Sequence, residues 1–74
     1  MNTAGRDFRL ISIKEACRLT SLSRTSIFLK SKAGKFPKPL RLSGDDDGAR
    51  KAFVLSEVEA WIADKIAVRD QEAA

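Results

Sequence analysis

Apolar residues recur along this chain in short groups separated by polar turns, and the first group predicts a small helix. Residues 12–15, S-I-K-E, have the S-x-x-E pattern of a capping box. In that motif the Ser hydroxyl accepts a bond from a backbone N–H and the Glu side chain reaches back. Residues 8–11, before it, are predicted to form a short extended entry. One buried helical face is predicted from the spacing of Ile13, Ala16, Cys17 and Thr20.

A second short helix is predicted to open at Arg24 and to end at Gly34, after a turn at residues 20–23. Ser23 suits the N-cap, where a side-chain oxygen accepts from the first free N–H groups. Gly34 suits the left-handed position that ends a helix. Ile27 is the clearest inward residue, and most other positions are polar. A polar helix of this length is not stable alone, so the rest of the domain must hold it while its polar side faces a partner.

Two strands of a hairpin are predicted at residues 40–42 and 50–55, which alternate or are rich in strand-forming residues. Pro37 and Pro39 block a helix before the first strand and force an extended path. The intervening loop carries three consecutive aspartates, residues 45–47, and gives the hairpin an acidic tip. The core face is predicted to consist of Leu40, Leu42, Phe53 and Leu55, with Arg41 and Arg50 on the outer face.

The last helix is predicted from a second capping box, S-E-V-E at residues 56–59. Val58, Trp61, Ile62 and Ile66 follow as an apolar stripe, in which Trp61 is predicted to anchor the core. Residues 71–74 are predicted to be a tail. The order of elements predicts a mainly α fold with a small β-hairpin, a winged helix-turn-helix. We expect a single domain over residues 1–74, with an ordered core at about 8–69.

Charge changes this picture because it is concentrated in one region. The 74 residues carry a net charge of +4, with a pI of about 9.6. Between Arg24 and Lys51 there are eight Lys and Arg and three Asp, a net of +5; the remaining residues carry six basic and seven acidic side chains, a net of −1. Such a region favours nucleic acid or another acidic surface as partner. The alternative is a merely solvated basic surface.

Several classes of function are excluded by residues that the sequence lacks. With no His and one cysteine, Cys17, neither a metal site nor an intramolecular disulfide is expected. Cys17 is interpreted as a small buried apolar residue. No catalytic set of residues and no phosphate-binding Gly loop is present, so we expect neither an enzyme nor a bound cofactor. No signal-peptide core or membrane span is apparent, so a cytoplasmic, nucleoid-associated protein is expected.

The predicted second helix is interpreted as a recognition helix in the major groove of DNA. The first turn of such a helix usually reaches base edges, so base contacts are predicted for Arg24, Thr25 and Ser26. Arg24 would bind a guanine through two hydrogen bonds. For Thr25 and Ser26 the alternative is simple helix-start chemistry, and any one lysine of the region could be idle surface charge. Phosphate contacts are predicted for Ser23, Phe28, Lys30, Lys32, Lys35, Lys38, Arg41, Arg50 and Lys51.

Residues 12–66 resemble the AlpA-type phage regulatory proteins, small winged helix-turn-helix DNA binders related to excisionases and MerR-type domains. The resemblance lies in L-S-R followed by S-I-F at residues 22–28, in G-K-F-P-K-P-L-R-L at 34–42, in the aromatic Phe53 of the second wing strand and in S-E-V-E-A-W-I at 56–62. The family usually has Gly where this chain has Ser21, and often a polar residue where it has Leu29.

The resemblance implies a prophage or genomic-island protein that binds double-stranded DNA. Such proteins regulate transcription, often of an integrase gene, or act as excisionases that bend attachment-site DNA and direct recombination. The implied partners are duplex DNA and an integrase or recombinase. For the oligomeric state, a monomer in solution that binds adjacent sites cooperatively is expected, and a dimer is the alternative. The alternative is a small protein-interaction module that inhibits or recruits a host or phage protein. A module of that kind would show no salt-dependent duplex binding.

Overall fold

A computed structural model describes residues 8–42 and 51–73, which form three helices and a small antiparallel sheet of three strands. The prediction of a mainly α chain with a little β structure is confirmed. The acidic loop at residues 45–47 and Arg50 lie outside the described residues. In chain order the elements are β1 (Leu10–Ile11), α1 (Ile13–Thr20), α2 (Arg24–Lys32), β2 (Leu40–Arg41), β3 (Lys51–Val54) and α3 (Leu55–Ala73).

The sheet has the strand order β1-β3-β2. The predicted extended entry therefore adds a third strand, β1, which pairs with β3 on the side opposite β2. β1 pairs Ile11 with Phe53, and β2 pairs Leu40 with Ala52. Because paired residues share a face and successive residues alternate, Leu40 lies on the opposite face from Phe53. The predicted core face is therefore wrong for Leu40 and Leu42, which are 44% and 49% exposed, whereas Phe53 is buried as predicted. Leu55, also assigned to that face, already belongs to α3.

Helix α1 begins as predicted at a Ser cap. The hydroxyl of Ser12 accepts a 3.1 Å bond from the backbone N–H of Glu15. The Glu half of the predicted capping box is wrong, because the Glu15 carboxylate pairs with the Arg18 guanidinium, with Nε donating to Oε1 at 3.1 Å. These bonds lower the pKa of Glu15. The predicted inner face is confirmed, with Ala16 fully buried and the other three members half-buried, namely Ile13, Cys17 and Thr20.

A three-residue turn joins α1 to α2 and depends on a left-handed residue. Ser21 has φ 63° and ψ 18°, and its backbone N–H donates to the Cys17 carbonyl at 2.8 Å. The hydroxyl of Thr20 accepts from the backbone N–H of Leu22 at 3.2 Å. Leu22 is thereby turned against the core, between the two helices. The turn thus places an L-amino acid with a Cβ in a conformation that favours glycine.

Helix α2 ends at Lys32, and Gly34 is the left-handed residue that follows, as the sequence predicts. That residue has φ +77°, and its N–H donates to the Ser31 carbonyl at 3.1 Å. The next N–H, of Lys35, donates to the Lys30 carbonyl at 2.8 Å. This pair of bonds is a Schellman motif, which satisfies carbonyls that a helix end leaves free. The motif sends the chain sharply back toward α3.

The core is small and contains a row of aromatic rings. Phe36 meets Phe53 edge-on with ring centroids 5.8 Å apart, and it meets Trp61 in the same way at 5.0 Å. The indole Nε1–H of Trp61 donates to the Lys35 carbonyl at 2.7 Å. Trp61 is half-buried and packs against the core, which confirms the prediction that it is an anchor. The buried cluster consists of Ala16, Ile27, Phe36, Phe53 and Val58.

Helix α3 is longer than predicted, and the predicted capping box is wrong, because Ser56 lies inside the helix rather than before it. It begins at Leu55, whose backbone N–H still bonds the Arg9 carbonyl at 2.8 Å, so strand pairing runs directly into the helix. It continues to Ala73, and the predicted tail is wrong for residues 71–73. Residues 63–72 are all exposed, including Ile66 at 45%. The predicted apolar stripe therefore packs only as far as Ile62, because the core ends there.

We predict that Ser21→Gly stabilises the domain. A left-handed L-residue costs about 1–2 kcal/mol, part of which is offset by the larger unfolded-state entropy of Gly. A net gain of about 0.5–1 kcal/mol is expected, or roughly 2–8 °C in Tm. Gly34→Ser is the matched reverse change and should lower Tm, since it adds a side chain at a left-handed position with open space around it. Thermal melts in which Ser21→Gly lowers Tm would contradict the assigned turn geometry.

We predict a graded loss of stability at Trp61. Trp61→Phe keeps a ring beside Phe36 but removes the bond to the Lys35 carbonyl, at a cost of about 1 kcal/mol. Trp61→Ala costs about 3–5 kcal/mol, close to the whole stability of a domain this small. Ile66→Ala, five residues later on the exposed part of α3, is the control and should change little. Urea titrations that rank Ile66→Ala as more damaging than Trp61→Phe would show that the indole does not anchor the core.

Candidate nucleic-acid interface

Helix α2 has a narrow inner side and a broad outer side. Ile27 and Ser31, one turn apart, are 0% and 5% exposed and face the core. At 3.6 residues per turn, the opposite side is formed by Thr25, Leu29 and Lys32, and all three are exposed. We call these three residues the outer stripe of α2. It combines a hydroxyl, an apolar side chain and a positive charge.

The first turn of α2 is open to solvent and capped by a serine pair. The Ser23 hydroxyl accepts from the Ser26 backbone N–H at 3.1 Å and donates to the Ser26 hydroxyl at 3.1 Å. Ser26 is half-buried and takes part in this cap, whereas Arg24 and Thr25 are exposed. The structure therefore places Arg24 and Thr25 together at the exposed N-terminal end of α2. For Ser26 it shows the helix-start chemistry, and the base contacts remain predictions.

Two hydrogen bonds fix the segment after α2. The buried Ser31 hydroxyl donates to the Pro37 carbonyl at 2.9 Å. The indole Nε1–H of Trp61 donates to the Lys35 carbonyl. A buried hydroxyl without a partner would be costly, and this contact removes that cost. The exposed side chains of Lys35 and Lys38 are thereby held beside the end of the helix.

A groove of about 600 Å³ lies between the second half of α2 and strands β2 and β3. Its apolar lining comes from two adjacent residues of α2 and from one proline. Among residues 8–42 and 51–73, the charged side chains that line it are all positive. We call it the basic groove, and it is lined by Phe28, Leu29, Ser31, Lys32, Lys38, Pro39, Arg41 and Lys51.

The basic groove gathers five of the nine residues predicted to contact phosphate: Phe28, Lys32, Lys38, Arg41 and Lys51. Three others lie outside it. Ser23 caps α2, Lys30 is half-buried on the flank of α2 away from Lys32, and Lys35 lies in the turn after the helix. The ninth, Arg50, is outside the described residues. Five of the nine residues predicted to contact phosphate thus lie on one surface. The contacts with phosphate themselves remain predictions.

Sequence reasoning missed the role of Leu29 in this surface. Leu29 is 62% exposed, and it lines the groove beside Phe28. A signal was available, because the inner pair Ile27 and Ser31 places residue 29 on the outer side. Pro39 was also missed, and for it the sequence holds no comparable signal, since its position depends on how β2 pairs with β3.

The electrostatic character of this surface follows from the chain itself. Residues 24–42 contain six Lys and Arg and no acidic residue. Among residues 8–42 and 51–73 the ion pairs are Arg18 with Glu15 on α1 and Arg69 with Asp70 on α3. Neither pair involves a residue of α2 or of the described groove lining. Such a surface attracts polyanions over about a Debye length, roughly 8–10 Å.

No group of three His, Cys, Asp or Glu side chains within the described ranges is placed to hold a metal ion. None of the helices described is long and apolar enough to cross a membrane.

Comparison with known proteins gives a family match over most of the chain. The family described as "Prophage CP4-57 regulatory protein (AlpA)" matches residues 9–66. The "Uncharacterized protein ORF88" of Enterobacteria phage P4 is 36% identical over 61 residues, which are 82% of this chain and 65% of that protein. The chain therefore spans just under two thirds of the length of this relative. No solved structure matches.

Proposed function

The chain belongs to the AlpA family of prophage regulatory proteins, and we propose that it binds double-stranded DNA sequence-specifically as a winged helix-turn-helix. One observation carries this proposal. The outer stripe of α2 projects into solvent at the start of the helix and lines the basic groove at its end. A single helix face thus offers side chains for base edges together with a positively charged surface for the sugar-phosphate backbone.

The docking follows from the dimensions of B-DNA, whose major groove is about 12 Å wide and admits one α-helix. Helix α2 enters this groove with Arg24, Thr25 and Ser26 nearest the bases, as in other helix-turn-helix proteins. Strands β2 and β3 form the wing. Phosphates on one side of the major groove are bound by Lys32, Lys38, Arg41 and Lys51. Contacts with the sugar-phosphate backbone are also proposed for Ser23, Phe28, Lys30, Lys35 and Arg50.

Two biological roles use this chemistry, and we propose that the protein has one of them. A transcriptional regulator binds at a promoter, whereas an excisionase binds at an attachment site and needs an integrase or recombinase as partner. Footprinting on the DNA that flanks the source gene and any neighbouring integrase gene separates the two. Protection at a promoter identifies a transcription factor, and protection at an attachment site identifies an excisionase.

We predict that duplex binding weakens steeply with salt. If about five to seven basic residues contact phosphates, the log–log slope of affinity against salt is about −4 to −6. Lys38→Ala should make the slope shallower by about one, whereas Arg69→Ala, on the exposed end of α3, should leave it unchanged. Fluorescence anisotropy at several salt concentrations gives the slope. A protein with no duplex affinity at low salt would instead be the interaction module that binds other proteins.

We predict that Arg24→Ala loses discrimination more than overall affinity. Arg24 is exposed at the first position of α2, where a bidentate contact with guanine is worth about 1–3 kcal/mol of discrimination. Lys38→Ala is the contrasting variant and should weaken selected and scrambled duplexes alike. Equal losses on both duplexes for Arg24→Ala would reduce Arg24 to a phosphate contact.

A further inference from the structure

Two large apolar side chains on the basic surface are left uncovered. Phe28 and Leu29 are 45% and 62% exposed, although they lie in the middle of a nine-residue helix. Isolated exposed apolar residues are common on protein surfaces. These two are adjacent, however, and they line the same groove as four positive charges. Phosphate binding by the four cations does not explain why the apolar side chain of Leu29 is exposed there.

The position of Leu29 relates it to the base-contacting end of the helix. Leu29 follows Thr25 by four residues and precedes Lys32 by three, so the three side chains are neighbours on the helix surface. Leu29 thus lies one turn further along the same face that starts with Thr25. A helix that inserts Thr25 into the major groove also brings Leu29 against the base edges or the groove wall.

The major groove offers one apolar feature on its bases, the C5-methyl group of thymine. Building on the proposed DNA binding, we infer that Leu29 contacts a thymine methyl group and so determines part of the sequence preference. Burial of that methyl group against the exposed Leu29 side chain supplies the affinity. Leu29 is then a specificity-determining residue. The neighbouring Phe28, which lines the basic groove of the protein, lies against the sugar-phosphate backbone.

The charge of the groove favours DNA over an apolar segment of another protein. Its charged lining consists of Lys32, Lys38, Arg41 and Lys51. An apolar protein segment would cover Leu29 but supply no negative charge to these four cations, at a cost in desolvation. A duplex supplies phosphates for the cations and methyl groups for Leu29 within one ligand.

The test compares thymine with uracil, which differ only by the C5-methyl group. A preferred duplex is selected from a random library, and each thymidine in it is replaced in turn by deoxyuridine. Wild-type protein is expected to bind about fourfold more weakly when the contacted methyl group is removed. Leu29→Ala is expected to bind the thymidine and deoxyuridine duplexes equally at that position, so that the double-mutant cycle shows coupling.

Phe28→Ala is the matched control, because it removes an exposed apolar side chain next in sequence. It should weaken binding yet keep the thymine-to-uracil effect. Melting curves should show that both variants remain folded, since neither side chain belongs to the buried core. If the library yields a preferred sequence but uracil replacement has no effect, or has the same effect in Leu29→Ala, the inference is wrong while the proposed function stands. An equal effect in wild type and Leu29→Ala would indicate that Leu29 contacts a protein partner or a second copy of the chain instead. If no sequence is enriched, the proposed function fails and the inference with it.

Discussion

The attachment of the end of α2 to α3 is the contact on which the rest of this structure depends. Helix α2 buries only Ile27 and Ser31, too little apolar surface to hold nine residues in place by itself. Its position is fixed instead by the segment at its C-terminal end. The Trp61 indole donates to the Lys35 carbonyl, and Phe36 is packed between Trp61 and Phe53. The Ser31 hydroxyl donates to the Pro37 carbonyl. These contacts leave the outer side of α2 free for a partner.

The parts of the fold that were predictable are those set by neighbours in sequence. Ser12, Ser23 and Gly34 mark helix ends through bonds that span three to five residues, and the structure places all three as predicted. The register of the sheet is set by residues far apart in the chain, and β2 is too short for its alternation to fix a face. The exposure of Ile66 was unpredictable for a related reason, because a periodic stripe does not reveal where the opposing elements end.

For the candidate site, the sequence predicted the charge but not the shape. The excess of Lys and Arg between Arg24 and Lys51 is visible in the composition alone. The groove exists because β3 brings Lys51 back beside α2, and that return is not encoded locally. Leu29 lies between these cases. Its outward direction follows from the inner pair of α2, whereas its place beside Arg41 and Lys51 follows only from the fold.

The proposed DNA-binding surface combines the outer stripe of α2 with the basic groove. Adding a duplex of the preferred sequence to the ¹⁵N-labelled protein, and mapping the changes in backbone amide shifts, tests this assignment without any substitution. We expect the largest changes at Thr25, Leu29, Lys32 and Lys51, with residues 63–73 of α3 unchanged. Largest changes along the exposed end of α3, with α2 unaffected, would contradict the assignment.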